Sequence, residues 1–416
     1  MRGPQHELGR SPDWIHEWVQ RLLQPHPLLP ALSLGRSCPA GVELSAKPSR
    51  EPLTWEVDTP PVGPAAVNTE KLNVFVDKFV GDVGAALHGA SVLIGEQLGL
   101  YKGLASGGPQ SSDDLSKRTG IAERYVREWL AGQAASGFIE YDPAAKKYWM
   151  TPEQEFALTV EDNPVYMPGV YYSIASVYKD QRKLAEAIKA GKGFGWHEHN
   201  NDLFVGTRKF FRPGYLANLV SSWLPSLEGV VPKLESGARV ADVGCGLGAS
   251  TIIMAKAYPK SKFIGFDYHA ESVEWARNEA ETEHVTPNTD FEVSSAKDFR
   301  GKDYDLVTFF DCLHDMGDPV GAARHARESL KADGTLMVVE PFARGSVEEN
   351  LNPVGRIYYN ASLLICVPAS LSQEVGKGLG AQASDAALNE VFRDAGFTRV
   401  RKAVETPFNR VFEARP

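Results

Sequence analysis

Val240-Ala241-Asp242-Val243-Gly244-Cys245-Gly246-Leu247-Gly248-Ala249-Ser250 is the stretch whose reading decides the fold. An apolar run from Arg239 to Gly244 ends in alternating glycines, and a helical pattern follows from Ala249 to Tyr258. Glycine lets a chain turn sharply from strand to helix and lets a ligand approach the backbone. Alone, the pattern is ambiguous: Gly244, Gly246 and Ala249 also fit a nicotinamide-dinucleotide fingerprint.

Working outward resolves part of the ambiguity. Lys262 to Asp267 reads as a second strand, with a helix from Glu271 to Ala280 behind it. Phe291 to Ser294, Tyr304 to Phe310 and Thr335 to Val339 read as three more strands, with a helix at Val320 to Leu330. A helix at Ala386 to Ala395 precedes a closing strand pair, Val400 to Glu405 and Asn409 to Ala414. Strands alternating with helices predict a doubly wound α/β sheet, whose ligands bind at the carboxyl ends of the strands. Asp267 ends the second strand, where a carboxylate can hold ribose hydroxyls of either nucleoside cofactor. Asp242, two residues before the first glycine, favours S-adenosylmethionine over a dinucleotide. A carboxylate there suits an ammonium-bearing methionine portion and would sit awkwardly beside a pyrophosphate.

The chain ahead of this sheet has its own grammar. Residues 1–66 are proline-rich and predict a low-order extension, with a short helical pattern at Ser11 to Leu23. From residue 67 to 155 the pattern is compact: Leu72, Phe75, Val76, Phe79, Val80 and Val83 form one helical stripe. A short helix opens at Ser111-Ser112-Asp113-Asp114, and a second runs from Ala122 to Ala135 with Tyr125, Val126, Trp129 and Leu130 inward. Two strand-like pieces, Phe138 to Tyr141 and Lys146 to Met150, complete the outline of a winged helix. Residues 156–232 are helical and aromatic, and read as a linker and pocket wall leading to the sheet domain at 233–416.

VADVGCGLGAS, FIGFDYH, YDLVTFFDCLHDMGDP and DGTLMVVEP, in that order, resemble the motif set of class I S-adenosylmethionine-dependent methyltransferases. With the winged-helix outline in front, the chain resembles the actinobacterial, notably mycobacterial, members that carry such a domain. LFVGTRKFFRPGY, NPVGRIYY and CVPASLSQEVGKGLGAQ add to that likeness. The resemblance implies a Rossmann-like sheet of seven strands with the last antiparallel, S-adenosylmethionine as cofactor, a small-molecule acceptor and a homodimer. It implies that Gly244, Gly246 and Gly248 line the methionine and ribose portion, with Asp242 nearby, and that Asp267 takes the ribose hydroxyls. Tyr268 should lie against the adenine, Ser295 and Ala296 near its amine, and Phe310 and Asp311 beside the methionine moiety. Ser295 departs from the acidic residue often found there.

Methyl transfer is an in-line displacement at a carbon already activated by its sulfonium, so alignment and desolvation supply much of the catalysis. A hydroxyl acceptor also needs a base. His314, in the loop after the fourth strand, is the candidate, and imidazole suits proton transfer near neutrality. His314-Asp315 is similar to the His-Asp-Trp motif of plant-type O-methyltransferases, which implies that Glu340 orients His314. Met316 stands in place of the tryptophan. Trp196, His197 and His199 form a polar stretch that could meet substrate near a pocket mouth, as could Tyr358.

Composition narrows the classes. A net charge of −9 opposes a chain built to coat nucleic acid, because phosphate binding needs clustered cations. The second helix of the winged-helix outline carries Arg124 and Arg127 but also Glu123 and Glu128. Cys38, Cys245, Cys312 and Cys366 are scattered, with no CxxC or Cys/His spacing, so neither a disulfide framework nor a metal site is expected. No apolar run suits a membrane span, and a cytoplasmic enzyme is the default reading. The reading from another class is a winged-helix transcriptional regulator that senses S-adenosylmethionine or another metabolite.

Overall fold

The computed structural model describes residues 67–105 and 107–416. The expected extension over residues 1–66, its helix at Ser11 to Leu23, and Cys38 lie outside them. The described residues fall into two compact units, 67–155 and 156–416.

The first unit opens with α1 (Thr69–Gln97), whose N-cap Asn68 accepts the amide of Lys71. Then come α2 (Leu100–Ala105), α3 (Ser112–Thr119), α4 (Glu123–Ala135) and the hairpin of β1 (Glu140–Asp142) and β2 (Lys147–Trp149). Ser111 and Asp114 form a reciprocal capping box at the start of α3, and Gly120 ends it in the left-handed conformation. Trp129 of α4 packs so closely on α1 that a Cβ at Gly95 would stand 2.6 Å from its ring. Gln133, fully buried, accepts the hydroxyl of Tyr101 at 2.6 Å and donates to Ser91. One sequence expectation changes here: Tyr125 points outward, although Val126, Trp129 and Leu130 are buried as read, and Phe75, Phe79, Val80 and Val83 of the α1 stripe are exposed. Helical periodicity reveals that a face is apolar but not what covers it.

The second unit begins with α5 (Pro152–Thr159), which spans the boundary, and continues through α6 (Val170–Ala190), α7 (Asp202–Asn218) and α8 (Val230–Ser236). The sheet strands are β3 (Arg239–Val243), β4 (Lys262–Asp267), β5 (Thr289–Val293), β6 (Tyr304–Phe310), β7 (Leu330–Pro341), β8 (Arg399–Glu405) and β9 (Asn409–Arg415). Between them lie α9 (Ala249–Ala257), α10 (Ala270–Thr282), α11 (Pro319–Ser329), α12 (Pro353–Ala361), α13 (Val367–Leu371) and α14 (Asp385–Asp394).

Seven strands form one sheet in the order β5-β4-β3-β6-β7-β9-β8. β3 pairs in parallel with both β4 and β6, and the last strand, β9, runs antiparallel to β7 and β8. The order reverses at β3, so a crevice opens between the carboxyl ends of β3 and its neighbours. Both faces are covered by apolar layers. One holds Val240, Ile253, Phe263, Leu306 and Met337, and the other holds Ala241, Phe266, Val307, Phe309 and Val338. No helix of the described residues is long and apolar enough to cross a membrane.

Candidate active site

A cavity of about 450 Å³ lies at the carboxyl ends of β3, β4, β5 and β6, within the size range of small-molecule sites. Its floor is the turn Gly244 to Leu247, which joins β3 to α9. Gly244 and Gly246 both have positive φ, where an L side chain is strained. A Cβ at Gly244 would meet Cys312 Sγ at 2.7 Å, whereas one at Gly246 would project into open space. The turn is tied to β4, with the amides of Gly244 and Cys245 donating to the Phe266 carbonyl.

Asp267, at the end of β4, lines the cavity. Its Oδ2 accepts the Gly246 amide at 2.9 Å and its Oδ1 accepts the His269 amide at 2.9 Å. Burial pushes its carboxyl above the ordinary value, against the pull of those amides. Each oxygen keeps a further lone pair for a ligand hydroxyl. Tyr268, Ser294, Ser295 and Ala296 form the adjoining wall. Phe310 and Asp311 close the β6 side, and Asp311 has φ +51°, an uncommon conformation for a residue with a side chain. Asp311 accepts the Tyr215 hydroxyl at 2.9 Å and the Asn409 amide at 2.8 Å, and burial holds its carboxyl well above the usual range.

Two sequence expectations are corrected by the geometry. Asp242 does not line the cavity: it is buried, its Oδ2 accepts Ser250 and Thr251 hydroxyls at 2.6 Å each, and its Oδ1 accepts Thr308 at 2.9 Å. It ties β3 to α9 and β6. Gly248 is likewise absent from the lining. A Cβ there would stand 2.9 Å from Ala276 Cβ, so it serves close packing of the turn on α10.

His314 and Glu340 meet beside the cavity without lining it. Glu340, at the end of β7, accepts from His314 Nδ1 at 2.6 Å and from the His314 backbone amide at 3.3 Å. His314 Nε2 lies 3.1 Å from Asp315 Oδ1. Burial disfavours the imidazolium, but the Glu340 and Asp315 carboxylates outweigh it and hold His314 well above the ordinary imidazole value. Asp315 does line the cavity, and its Oδ2 accepts the Trp196 indole N–H at 3.0 Å.

Trp196 and His197 line the cavity from a short 3-10 turn, Trp196–Glu198. His199 is buried away from it, 3.5 Å from Asp180 and edge-on to Phe194. Tyr358 is also buried outside the cavity and donates its hydroxyl to the Phe408 carbonyl at 2.8 Å. Sequence reasoning missed Thr207, Arg208, Ser372 and Gln373, which line the cavity, and Asn409, which holds Asp311. The quoted stretches LFVGTRKFFRPGY and CVPASLSQEVGKGLGAQ contain the first four. Their signal was present but undirected. Cys245 and Cys312 border the cavity with their thiols pushed well up by burial, which disfavours a thiolate nucleophile.

Comparison with known proteins agrees with this architecture. Residues 234–377 match a methyltransferase domain family, and residues 86–160 match the Rv2258c-like winged HTH domain. A ubiquinone biosynthesis O-methyltransferase of Actinobacillus pleuropneumoniae is 31% identical over 107 residues, 24% of this chain and 44% of that protein. A 27-O-demethylrifamycin SV methyltransferase of Amycolatopsis mediterranei is 29% identical over 178 residues, 41% of this chain and 57% of that protein. The matches therefore span about half the length of these relatives. Among solved structures, human N-acetylserotonin methyltransferase in complex with SAM superposes with a TM-score of 0.61 at 18% identity, over 85% of this chain and 99% of the other. The mitomycin 7-O-methyltransferase gives 0.59 at 16% identity, over 83% and 100%. Likeness at such identity speaks to the fold. The chain carries a methyltransferase domain with the class I sheet order, behind a winged helix-turn-helix domain of the Rv2258c-like kind.

Proposed function

We propose that this protein transfers a methyl group from S-adenosylmethionine to the hydroxyl of a small molecule. The observation that carries the reading is the placement of Asp267 beside the Gly244–Gly246 turn, at the point where the sheet order reverses and a cavity opens. The residues present fit such a nucleoside. Asp267 keeps lone pairs for ribose hydroxyls, the turn leaves space where a Cβ at Gly246 would stand, and Tyr268, Ser295 and Ala296 offer a wall for the adenine. Asp311 and Phe310 would border the methionine portion. When bound, the cofactor supplies an electrophilic methyl group on its sulfonium.

The chain's own residues do the rest. Trp196, Phe204, Phe211 and Met316 give the cavity apolar walls that exclude water around the acceptor. With Glu340 holding Nδ1, His314 in its neutral form takes the acceptor's proton at Nε2, and because the neighbouring carboxylates favour the imidazolium that form gains population as pH rises. Asp315 touches Nε2 with Oδ1 and also lines the cavity, so its carboxylate can relay the proton between them. The names of the relatives, several of them O-methyltransferases, support oxygen as the acceptor atom.

The exposed stripe Phe75, Phe79, Val83 and Leu87 on α1 supports a homodimer joined through this helix. The DNA-binding reading gains nothing from α4. Arg124 pairs with Glu128, and Arg127 pairs with Glu123, so its cations are already engaged one turn away.

The test is transfer of radiolabelled methyl from S-adenosylmethionine into the small-molecule fraction of a cell extract. Label appearing with the wild-type protein supports the reading. Absence of both labelling and S-adenosylhomocysteine binding would overturn it.

A further inference from the structure

One cluster beside the cavity brings together three different ligating chemistries. A ring nitrogen of His314, a carboxylate oxygen of Asp315 and Cys366 Sγ all lie within 4.8 Å of one another, and all three residues are buried. Cys366 reaches them from a π-helical segment, Ser362–Cys366, inserted between α12 and α13. Such insertions re-aim the side chains that follow and often mark functional sites. Asp315 Oδ1 is sealed from solvent and faces His314 Nε2 at 3.1 Å, so a ring nitrogen and a carboxylate oxygen of the cluster already stand side by side. A buried carboxylate oxygen calls for a cation or a donor, and a metal ion in the cluster would take the place of the imidazole proton.

The geometry points to a site for a zinc-like divalent metal ion held by His314 Nε2, Asp315 Oδ1 and Cys366 Sγ. Four arguments converge on it. Zinc takes nitrogen near 2.0 Å, carboxylate oxygen near 2.0–2.2 Å and thiolate sulfur near 2.3 Å, which makes tetrahedral ligand separations of roughly 3.3–3.7 Å. The observed cluster closes to that size by side-chain movements of about 1 Å. The mixed nitrogen, oxygen and sulfur set suits zinc and excludes the oxygen-seeking magnesium and calcium. Glu340 already grips the remote nitrogen of His314 at 2.6 Å, the carboxylate–histidine arrangement that orients metal-ligating imidazoles. Finally, the Asp315 and Glu340 carboxylates are buried against one imidazole, and a divalent cation offsets negative charge there. Asp315 also lines the cavity, and three protein ligands leave one position open.

This site has a consequence for the proposed reaction. A metal on Nε2 removes the lone pair that would take the acceptor's proton, so metal loading inhibits methyl transfer and a chelator restores it. The inference itself does not depend on that reading, because metal binding is measured without cofactor or acceptor.

The experiment is an anaerobic titration of the chelator-treated full chain with cobalt(II), followed by near-ultraviolet thiolate-to-cobalt charge-transfer absorption. One equivalent per chain is expected, displaced by zinc, with the band lost in Cys366→Ser. Competition with a chromophoric chelator should show zinc weakened by about 10–100-fold in Glu340→Gln, which perturbs the orienting carboxylate and no ligand atom. Circular dichroism and a cooperative thermal transition report that each variant is folded. If Cys366→Ser does not fold, Cys366→Ala and Glu340→Gln carry the test. No stoichiometric band, or a band unchanged when Cys366 is replaced, would overturn the assignment.

Discussion

Replacing Asp242 separates two physical accounts of the same carboxylate. Its position before the glycines suggested a ligand contact, whereas the structure makes it an internal tie. Three hydroxyls donate to it, those of Ser250 and Thr251 at 2.6 Å and that of Thr308 at 2.9 Å. In Asp242→Ala, Thr308 keeps the Ala241 carbonyl at 3.4 Å as an alternative acceptor, so the loss concentrates on Ser250 and Thr251. Leaving a buried donor unsatisfied costs about 1–3 kcal/mol, which for two donors puts the destabilisation at roughly 2–6 kcal/mol. At about 2–4 °C per kcal/mol for a domain of this size, the unfolding midpoint should fall by roughly 4–24 °C. Asp242→Asn keeps one acceptor oxygen of nearly the same shape and should cost about 1–2 kcal/mol. Neither change should weaken S-adenosylhomocysteine by more than about threefold, since 1.4 kcal/mol corresponds to tenfold. Thermal denaturation and calorimetry on the same preparations decide the matter. A tenfold loss of affinity with an unchanged midpoint would refute the reasoning and return the carboxylate to the ligand.

Other substitutions probe the rest of the site. His314→Ala should lower methyl transfer by about 10²–10⁴-fold in single-turnover assays, the usual worth of a general base. Cofactor affinity should hold, because His314 does not line the cavity. Asp267→Ala should weaken S-adenosylhomocysteine by tenfold or more in calorimetry, as two charge-assisted hydrogen bonds are worth about 1.5–3 kcal/mol each. An unchanged dissociation constant would remove the ribose site from Asp267. Phe79→Glu, on an exposed part of α1, should leave the fold intact and shift sedimentation from dimer to monomer. Sedimentation identical to wild type would remove this face from the interface.

The parts of the protein that were legible rest on local rules. Apolar runs, glycine turns and helical spacing act over a few residues, so β3, β4 and β6 and the order of strand and helix follow from the chain alone. β7 is longer than the sequence pattern, Leu330–Pro341 against Thr335 to Val339, because the polar Lys331 to Gly334 hides its start. Asp267 was legible for the same local reason: it ends a strand beside the glycine turn, and chain ends of neighbouring parallel strands share one edge of a sheet.

Orientation was not legible. Four of the five residues of β3 are buried, so polar–apolar alternation is missing and nothing local shows which way Asp242 points. Its three hydroxyl partners lie on α9 and β6, and the sheet has to assemble before they surround it. The stripe on α1 shows the converse: periodicity disclosed an apolar face, and the folded chain left Phe75 and Phe79 uncovered. The meeting of His314 and Asp315 with Cys366 likewise belongs to tertiary structure. The sequence set the alternation of elements and the glycine turn, because those depend on neighbours along the chain. Which carboxylate faces the cavity and which is buried among hydroxyls was decided by packing, because burial and partner choice are properties of segments distant in sequence and brought together by the sheet.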